Sequence, residues 1–409
     1  MTTGRFLDRD TPPHLSTLVL VAAVSSVSMN IFLASLPAMA AYFDTTPAIM
    51  QYSISGYVFL SGVMQLAIGP LSDRYGRRMV LLISIAVFIL ASLGAIFAPN
   101  IESFMLCRVL QTSMVSGHIL SRAIARDIVG ATRSASLIGY ITMGMALVPM
   151  VTPPIGGFLE AFFGWKASFL VQAGVAFGAL LLVYLDLGET ATRVSGGFSA
   201  QIRLFPELLR SRRVWGYSIT GAFTAGVFFA YLAGAPFVAV DVYGMSPSQL
   251  GLYFSFAPLG YFIGNGLSGR YAVRVGMRPM VIAGTVVTAL GMGMSVVLQL
   301  AGATHSLSFF GFTIFIGIGS GLALPSANAG ILSVRPELAG AAAGLGGSLI
   351  TLGAGAMSLA AGNLLAVDTS VMTLLAFIMG CALAAIIGAC VTAWLDSRTR
   401  NPWDLRPDS

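Results

Sequence analysis

Long apolar runs separated by short polar clusters set the pattern of this chain. Twelve runs fall near residues 15–41, 50–71, 79–98, 102–125, 136–158, 167–187, 214–238, 248–268, 279–300, 307–333, 340–365 and 370–394. Each is close to the roughly 20 apolar residues that a helix needs to cross a bilayer. The runs are continuous and rich in Leu, Ala, Val and Gly. They lack the alternation of a lipid-facing strand, so the pattern predicts membrane helices and excludes a barrel. The expected fold class is an all-α polytopic membrane protein. Ala38-Met39-Ala40 resembles a leader cleavage site, but the run from Leu15 to Tyr42 is far longer than the 7–15 residues of a leader's apolar region, so it reads as an uncleaved first span.

The longest polar interval, 188–213, splits the runs six and six. It predicts a six-helix half over 1–188, a central loop over 189–213 and a second six-helix half over 214–409 with a short tail. Ser199 to Arg212 has the spacing of a short interfacial amphipathic helix, kinked at Pro206. An internal echo supports the division. Leu71-Ser72-Asp73-Arg74-Tyr75 follows the second run, and Leu267-Ser268-Gly269-Arg270-Tyr271 follows the eighth. Two repeated halves suit a transporter whose site lies between them near the midplane.

Composition narrows the class. Of 409 residues, 56% are hydrophobic and 9% charged, against about 25% charged in a soluble domain. The net charge of +6 reflects basic residues gathered on one side of a membrane, not a nucleic-acid partner. With both termini in the cytoplasm, all but Lys166 and Arg108 of the 22 basic residues lie in cytoplasmic segments or at span ends facing them. Cys107, Cys381 and Cys390 sit inside apolar runs and read as small buried side chains, not a disulfide framework. His14, His118 and His305 are too scattered for a metal cluster, and the one lysine, Lys166, follows Trp165, so there is no phosphate-binding Gly-Lys pair. Nothing indicates an enzyme, a cofactor or a metal.

The fourth run carries the most chemistry. At 100° per residue, Arg108, Gln111, Val115, His118, Arg122 and Arg126 fall within roughly 80° of one another. A charge deep in a span costs about 3 kcal/mol unless it meets water or a partner. The stripe is therefore expected to face a central cavity, with the alternative that Arg108 pairs with helix carbonyls and only fixes packing. His118, Arg122, Arg126 and Asp127 make a candidate proton or charge relay, in which the two arginines read first as snorkelling or latch residues. Pro149, Pro153, Pro154, Gly156 and Gly157 predict that the fifth span bends against the other half. Asn30, Met145, Tyr231 and Phe256, with Phe32, Tyr57, Phe228, Phe229 and Tyr253, are candidates for an adaptable pocket wall, each with ordinary packing as the alternative.

Gly69-Pro70-Leu71-Ser72-Asp73-Arg74-Tyr75-Gly76-Arg77-Arg78 resembles the signature loop between spans two and three of the major facilitator superfamily. The resemblance implies the fold of that family: twelve membrane helices in two pseudo-symmetric halves, with Asp73 latching against the start of span eleven near Gly340 and pairing with Arg77. Asn30 to Pro37, Gln51 to Arg78, Arg122 to Asp127, Pro153 to Gly157, Gly164 to Phe169 and Glu189-Thr190 resemble the Bcr/CflA-like drug:proton antiporters. That likeness implies proton-linked export of drugs or small amphiphiles by a monomer in a bacterial inner membrane. It also gives Arg108 and Gln111 the positions of an Arg-x-x-Gln motif associated with proton coupling, and the Pro153–Gly157 segment those of an antiporter motif. Thr112 replaces the usual glycine of the first motif and Thr152 that of the second, and Asn30 stands where an acid is common. With no carboxylate well inside a span, import or facilitated passage of a polar or anionic metabolite is the alternative.

Overall fold

The computed structural model describes residues 6–191, 205–335 and 338–398. Its helices are α1 (Leu15–Asn30), α2 (Leu36–Tyr42), α3 (Pro47–Tyr75), α4 (Arg77–Ile96), α5 (Ile101–Gln111), α6 (Val115–Phe163) and α7 (Lys166–Asp186), then α8 (Arg212–Asp241), α9 (Pro247–Tyr253), α10 (Phe256–Val275), α11 (Met277–Leu300), α12 (Leu307–Phe310), α13 (Thr313–Val334), α14 (Ala339–Val367) and α15 (Val371–Arg398). Among the described residues, ten helices are long and apolar enough to cross a membrane. The two other predicted spans are broken and more polar. One passes from α5 through a 3-10 turn, Thr112–Met114, into α6, and the other joins α9 to α10.

The long helical run α6 holds parts of two spans. Gly117 abuts the Val21 carbonyl of α1, and Gly144 abuts Val19, two residues away. A straight helix would separate those glycines by ~40 Å, so the run turns back on itself between them.

The first six spans pack through α1 on α6 and α7, and through α4 on α5 and α7. The last six pack through α8, α11 and α13 on α10, α14 and α15. Two seams join the sets: α3 lies along α14, and α6 meets α9 and α10. In both sets a glycine with positive φ, Gly76 (96°) or Gly276 (93°), turns the second span into the third. That backbone is open to glycine and strained for other residues, so the sequence echo marks one turn used twice.

The predicted interfacial helix lies partly outside the described residues, and the helical part is 205–209. Of the three cysteines, Cys381 is buried, Cys107 is half-buried and Cys390 is exposed on the outside of the bundle.

Candidate functional site

The glycines and prolines of the fifth span build a seal at one end of the bundle. A Cβ on Gly156 would collide with the Ile31 carbonyl, and one on Gly157 with the Pro247 carbonyl of α9. Gly251 of α9 lies as closely over the Pro153 carbonyl. Pro154 has no N–H to donate to the Met150 carbonyl four residues back. Ser255, from the second set of spans, donates its hydroxyl to that carbonyl at 3.0 Å. The predicted bend is thus a seam of backbone against backbone, with one hydroxyl filling the acceptor that proline leaves free. Along the other seam, Tyr52 donates to Asn363 at 2.9 Å and Ser348 to the Gly62 carbonyl at 2.5 Å.

Past Gln65, which donates to Thr351 at 3.0 Å, the seams part. A cavity of about 600 Å³ opens there between the two sets, at the end that carries Asp73, a volume suited to a drug-sized molecule. One wall holds His118, Arg122 and Arg126 of α6, and the other holds Tyr261, Asn328 and Gly344.

Arg77 organises the mouth. It pairs with Asp73 at 2.5 Å and with Asp127 at 3.3 Å, and bonds the Ser72 hydroxyl. Asp73 thus holds to the first residue of the next helix, α4, while Ala342, Ala343 and Gly344 of α14 line the cavity beside it. Gly69 also lines the mouth, Arg74 stacks on Tyr75 with its guanidinium 5.3 Å from the ring centroid, and Gly76 makes the turn. Glu189 caps α4, accepting from the Arg77 N–H at 2.8 Å and the Arg78 N–H at 3.3 Å. Two main-chain donors at a helix N-terminus suit a carboxylate. The Arg78 side chain donates to the Tyr184 carbonyl at 3.1 Å.

The basic stripe divides. Arg108 is 2% exposed and faces the interior of the first six spans. It donates to the Ser53 carbonyl from Nε (3.2 Å) and Nη2 (3.1 Å), and from Nη1 to the Ser28 carbonyl (3.4 Å) and Gln111 Oε1 (2.5 Å). The rings of Phe32 and Tyr57 lie 4.4 and 4.8 Å from its guanidinium. Gln111 passes the network on to Ser92 at 2.8 Å. Carbonyl and ring partners offset the cost of burying the charge. Depth along the helix accounts for the split. Arg122 lies fourteen residues beyond Arg108, about 21 Å along a helix axis, so Arg108 and Gln111 stay inside the first six spans while His118, Arg122 and Arg126 reach the cavity.

The remaining predicted wall residues do not line this cavity. Asn30 is buried and donates to the Ser26 carbonyl at 2.7 Å. Met145 packs within the first set, Tyr231 is buried against Phe254 and Phe310, and Phe256 meets Tyr253 edge to face. Pro149 lies two turns before the seal. Tyr261, Asn328 and Thr351 line the cavity unforeseen, as neutral side chains that periodicity does not single out.

A family model for the Major Facilitator Superfamily matches residues 18–358, with a second match over 240–408. An uncharacterized MFS-type transporter of Bacillus subtilis, YdgK, is 32% identical over 74% of this chain and 77% of its own length. A bicyclomycin resistance protein homolog of Haemophilus influenzae is 27% identical over 81% of this chain and 84% of that protein. Multidrug resistance protein D of Escherichia coli is 24% identical over 96% and 98% of the two chains. The fold resembles a bacterial homolog of the human lysosomal transporter Spinster, solved inward-facing and occupied, with a TM-score of 0.73 at 16% identity, over 94% of this chain and 96% of that one. The broken spans, the glycine seam and the Asp73–Arg77 mouth thus sit in a chain that belongs to the Major Facilitator Superfamily.

Proposed function

We propose that this protein exports drugs or small amphiphilic molecules by alternating access, in exchange for protons. The observation that carries the reading is the cavity between the two sets of spans, open at the Asp73 end and sealed at the other by the Gly156–Gly157 seam. Relatives named for bicyclomycin, chloramphenicol and multidrug resistance support export. Under this reading the Asp73 end is cytoplasmic, both termini lie there, and the membrane is a bacterial inner membrane. The halves 1–188 and 214–409 rock about the cavity, joined by the loop 189–213, in a single copy of the chain.

When the protein opens outward, the seam parts and the cytoplasmic mouth closes. Asp73 then meets the start of α14, and Arg77 holds Asp73 and Asp127 ready for that contact. His118 and Asp127 are the groups placed at the cavity to bind and release a proton, in a family setting where Asn30 replaces a carboxylate.

Accumulation of labelled chloramphenicol and of a fluorescent cationic dye in pump-deficient cells tests the proposal. Expression is expected to lower accumulation of at least one compound. A protonophore is expected to restore it, and Asp73→Asn to abolish the effect. Unchanged accumulation of both, insensitive to protonophore, overturns export of these compounds. Lowered accumulation that ignores the protonophore overturns the proton coupling alone.

A further inference from the structure

Arg108 shows what a satisfied guanidinium looks like in this protein: carbonyls, an amide oxygen and two aromatic faces surround it. Arg122, on the same stripe, has no such set of partners among the described residues. Its Nε is shut off from solvent and donates to nothing among the described residues, yet the side chain lines the cavity. The nearby countercharges are already engaged. Three arginines of the cavity, Arg77, Arg122 and Arg126, face two carboxylates, Asp73 and Asp127, and both carboxylates pair with Arg77. Arg126 is exposed. Arg122 is left largely buried without an ion partner among the described residues, a costly state for a charge that the protein itself does not relieve.

The surroundings match one kind of visitor. The polar groups facing the arginine across the cavity, Tyr261 and Asn328, are neutral and offer hydrogen bonds without competing charge. Ile119, Leu324 and Ile331 supply apolar wall. A guanidinium fork binds a carboxylate or sulfonate through two parallel bonds and prefers it to a neutral group.

The geometry points to Arg122 as the anion-binding subsite of this cavity, taking the negatively charged head of an amphiphile whose apolar body lies against the isoleucine and leucine wall. The inference rests on the cavity being the substrate chamber, and it adds charge selection to the proposed function. The substrate class it names is the organic anion, with Arg122 and not Arg108 as ligand.

Naphthaleneacetate and naphthaleneacetamide share a shape and differ in charge, so they test it. Their affinities are measured by calorimetry on the full chain in nanodiscs of zwitterionic lipid. The acid is expected to bind about tenfold tighter than the amide. Arg122→Gln is expected to bring that ratio close to one, and Arg122→Lys to restore part of it. A ratio near one in the unaltered protein, no binding of either compound, or a ratio that Arg122→Gln leaves at tenfold each overturns the subsite. Should Arg122→Gln fail to fold, a ratio in Arg122→Lys equal to that of the unaltered protein overturns bidentate recognition. Nanodiscs with anionic lipid separate two sources of the head group. Loss of the acid's advantage there assigns the subsite to a lipid phosphate, and its persistence assigns it to a soluble anion. The chloramphenicol and dye experiment is independent of these ratios, so export and charge selection stand or fall separately.

Discussion

Asp186 and Asp396 occupy the same place in the two sets of spans, and their partners differ in kind. Each lies in the last turn of the last helix of its set, in Tyr184-Leu185-Asp186 and Trp394-Leu395-Asp396. Each is buried at the Asp73 end and ties the last helix to the start of the first. Asp186 does so through uncharged donors: the Leu7 N–H (2.8 Å), the His14 N–H (2.8 Å) and the Thr17 hydroxyl (2.6 Å). The α1 N-terminus thus provides the favourable field. Asp396 bonds the Tyr217 hydroxyl at 2.5 Å and pairs with Arg213 and, at 3.1 Å, with Arg278. The repeat preserves the job and lets the chemistry diverge. A carboxylate held mainly by backbone depends on helix position, whereas one held by two guanidiniums and a phenol depends on further side chains.

Neutralising the two acids is the direct way to break that comparison. Asp396→Asn leaves Arg213 and Arg278 without their countercharge and is expected to cost about 2 kcal/mol, below the ~3–5 kcal/mol of a fully buried pair, because Arg278 keeps 31% of its side chain in solvent. Thermal unfolding in detergent, followed by tryptophan fluorescence, reads it. Asp186→Asn keeps an acceptor for neutral donors and is expected to lose about 1 kcal/mol in the same assay. Equal losses, or a larger one at Asp186, would show that the two sites do not differ in the way their partners suggest. Thr17→Val sharpens the picture at the low end. It removes one of three donors to Asp186 and is expected to cost roughly 0.5 kcal/mol, with the two backbone bonds left in place.

Much of this architecture is legible in the sequence. The twelve runs follow from length and hydropathy, and the turn after the second span follows from Gly69 to Arg78. The Pro–Gly cluster of the fifth span announces close packing, because few other residues let backbones approach so near. What periodicity misses is surroundings at each depth. Arg108 and Arg122 share a helix face but lie about 21 Å apart along it, so one meets the Ser28 and Ser53 carbonyls and the other the cavity. Partners brought by the fold are equally hidden. Ser255 is an unremarked hydroxyl until Pro154 leaves an acceptor beside it, and Glu189 is an acid after a span until the Arg77 and Arg78 N–H groups meet it. Asp186 and Asp396 did leave a trace in the repeated aromatic-Leu-Asp, which aligning the ends of the two sets exposes.

The seam at Gly156 and Gly157 is built from main-chain atoms, so it carries almost no record of side-chain identity beyond the glycines themselves. Recognition and movement are thereby written in separate alphabets. Under the proposed export cycle, positions around the cavity, such as Ile119, Leu324 and Asn328, are free to drift toward new cargoes while the closing surface keeps its fit. A transporter made this way can change what it carries without relearning how to close.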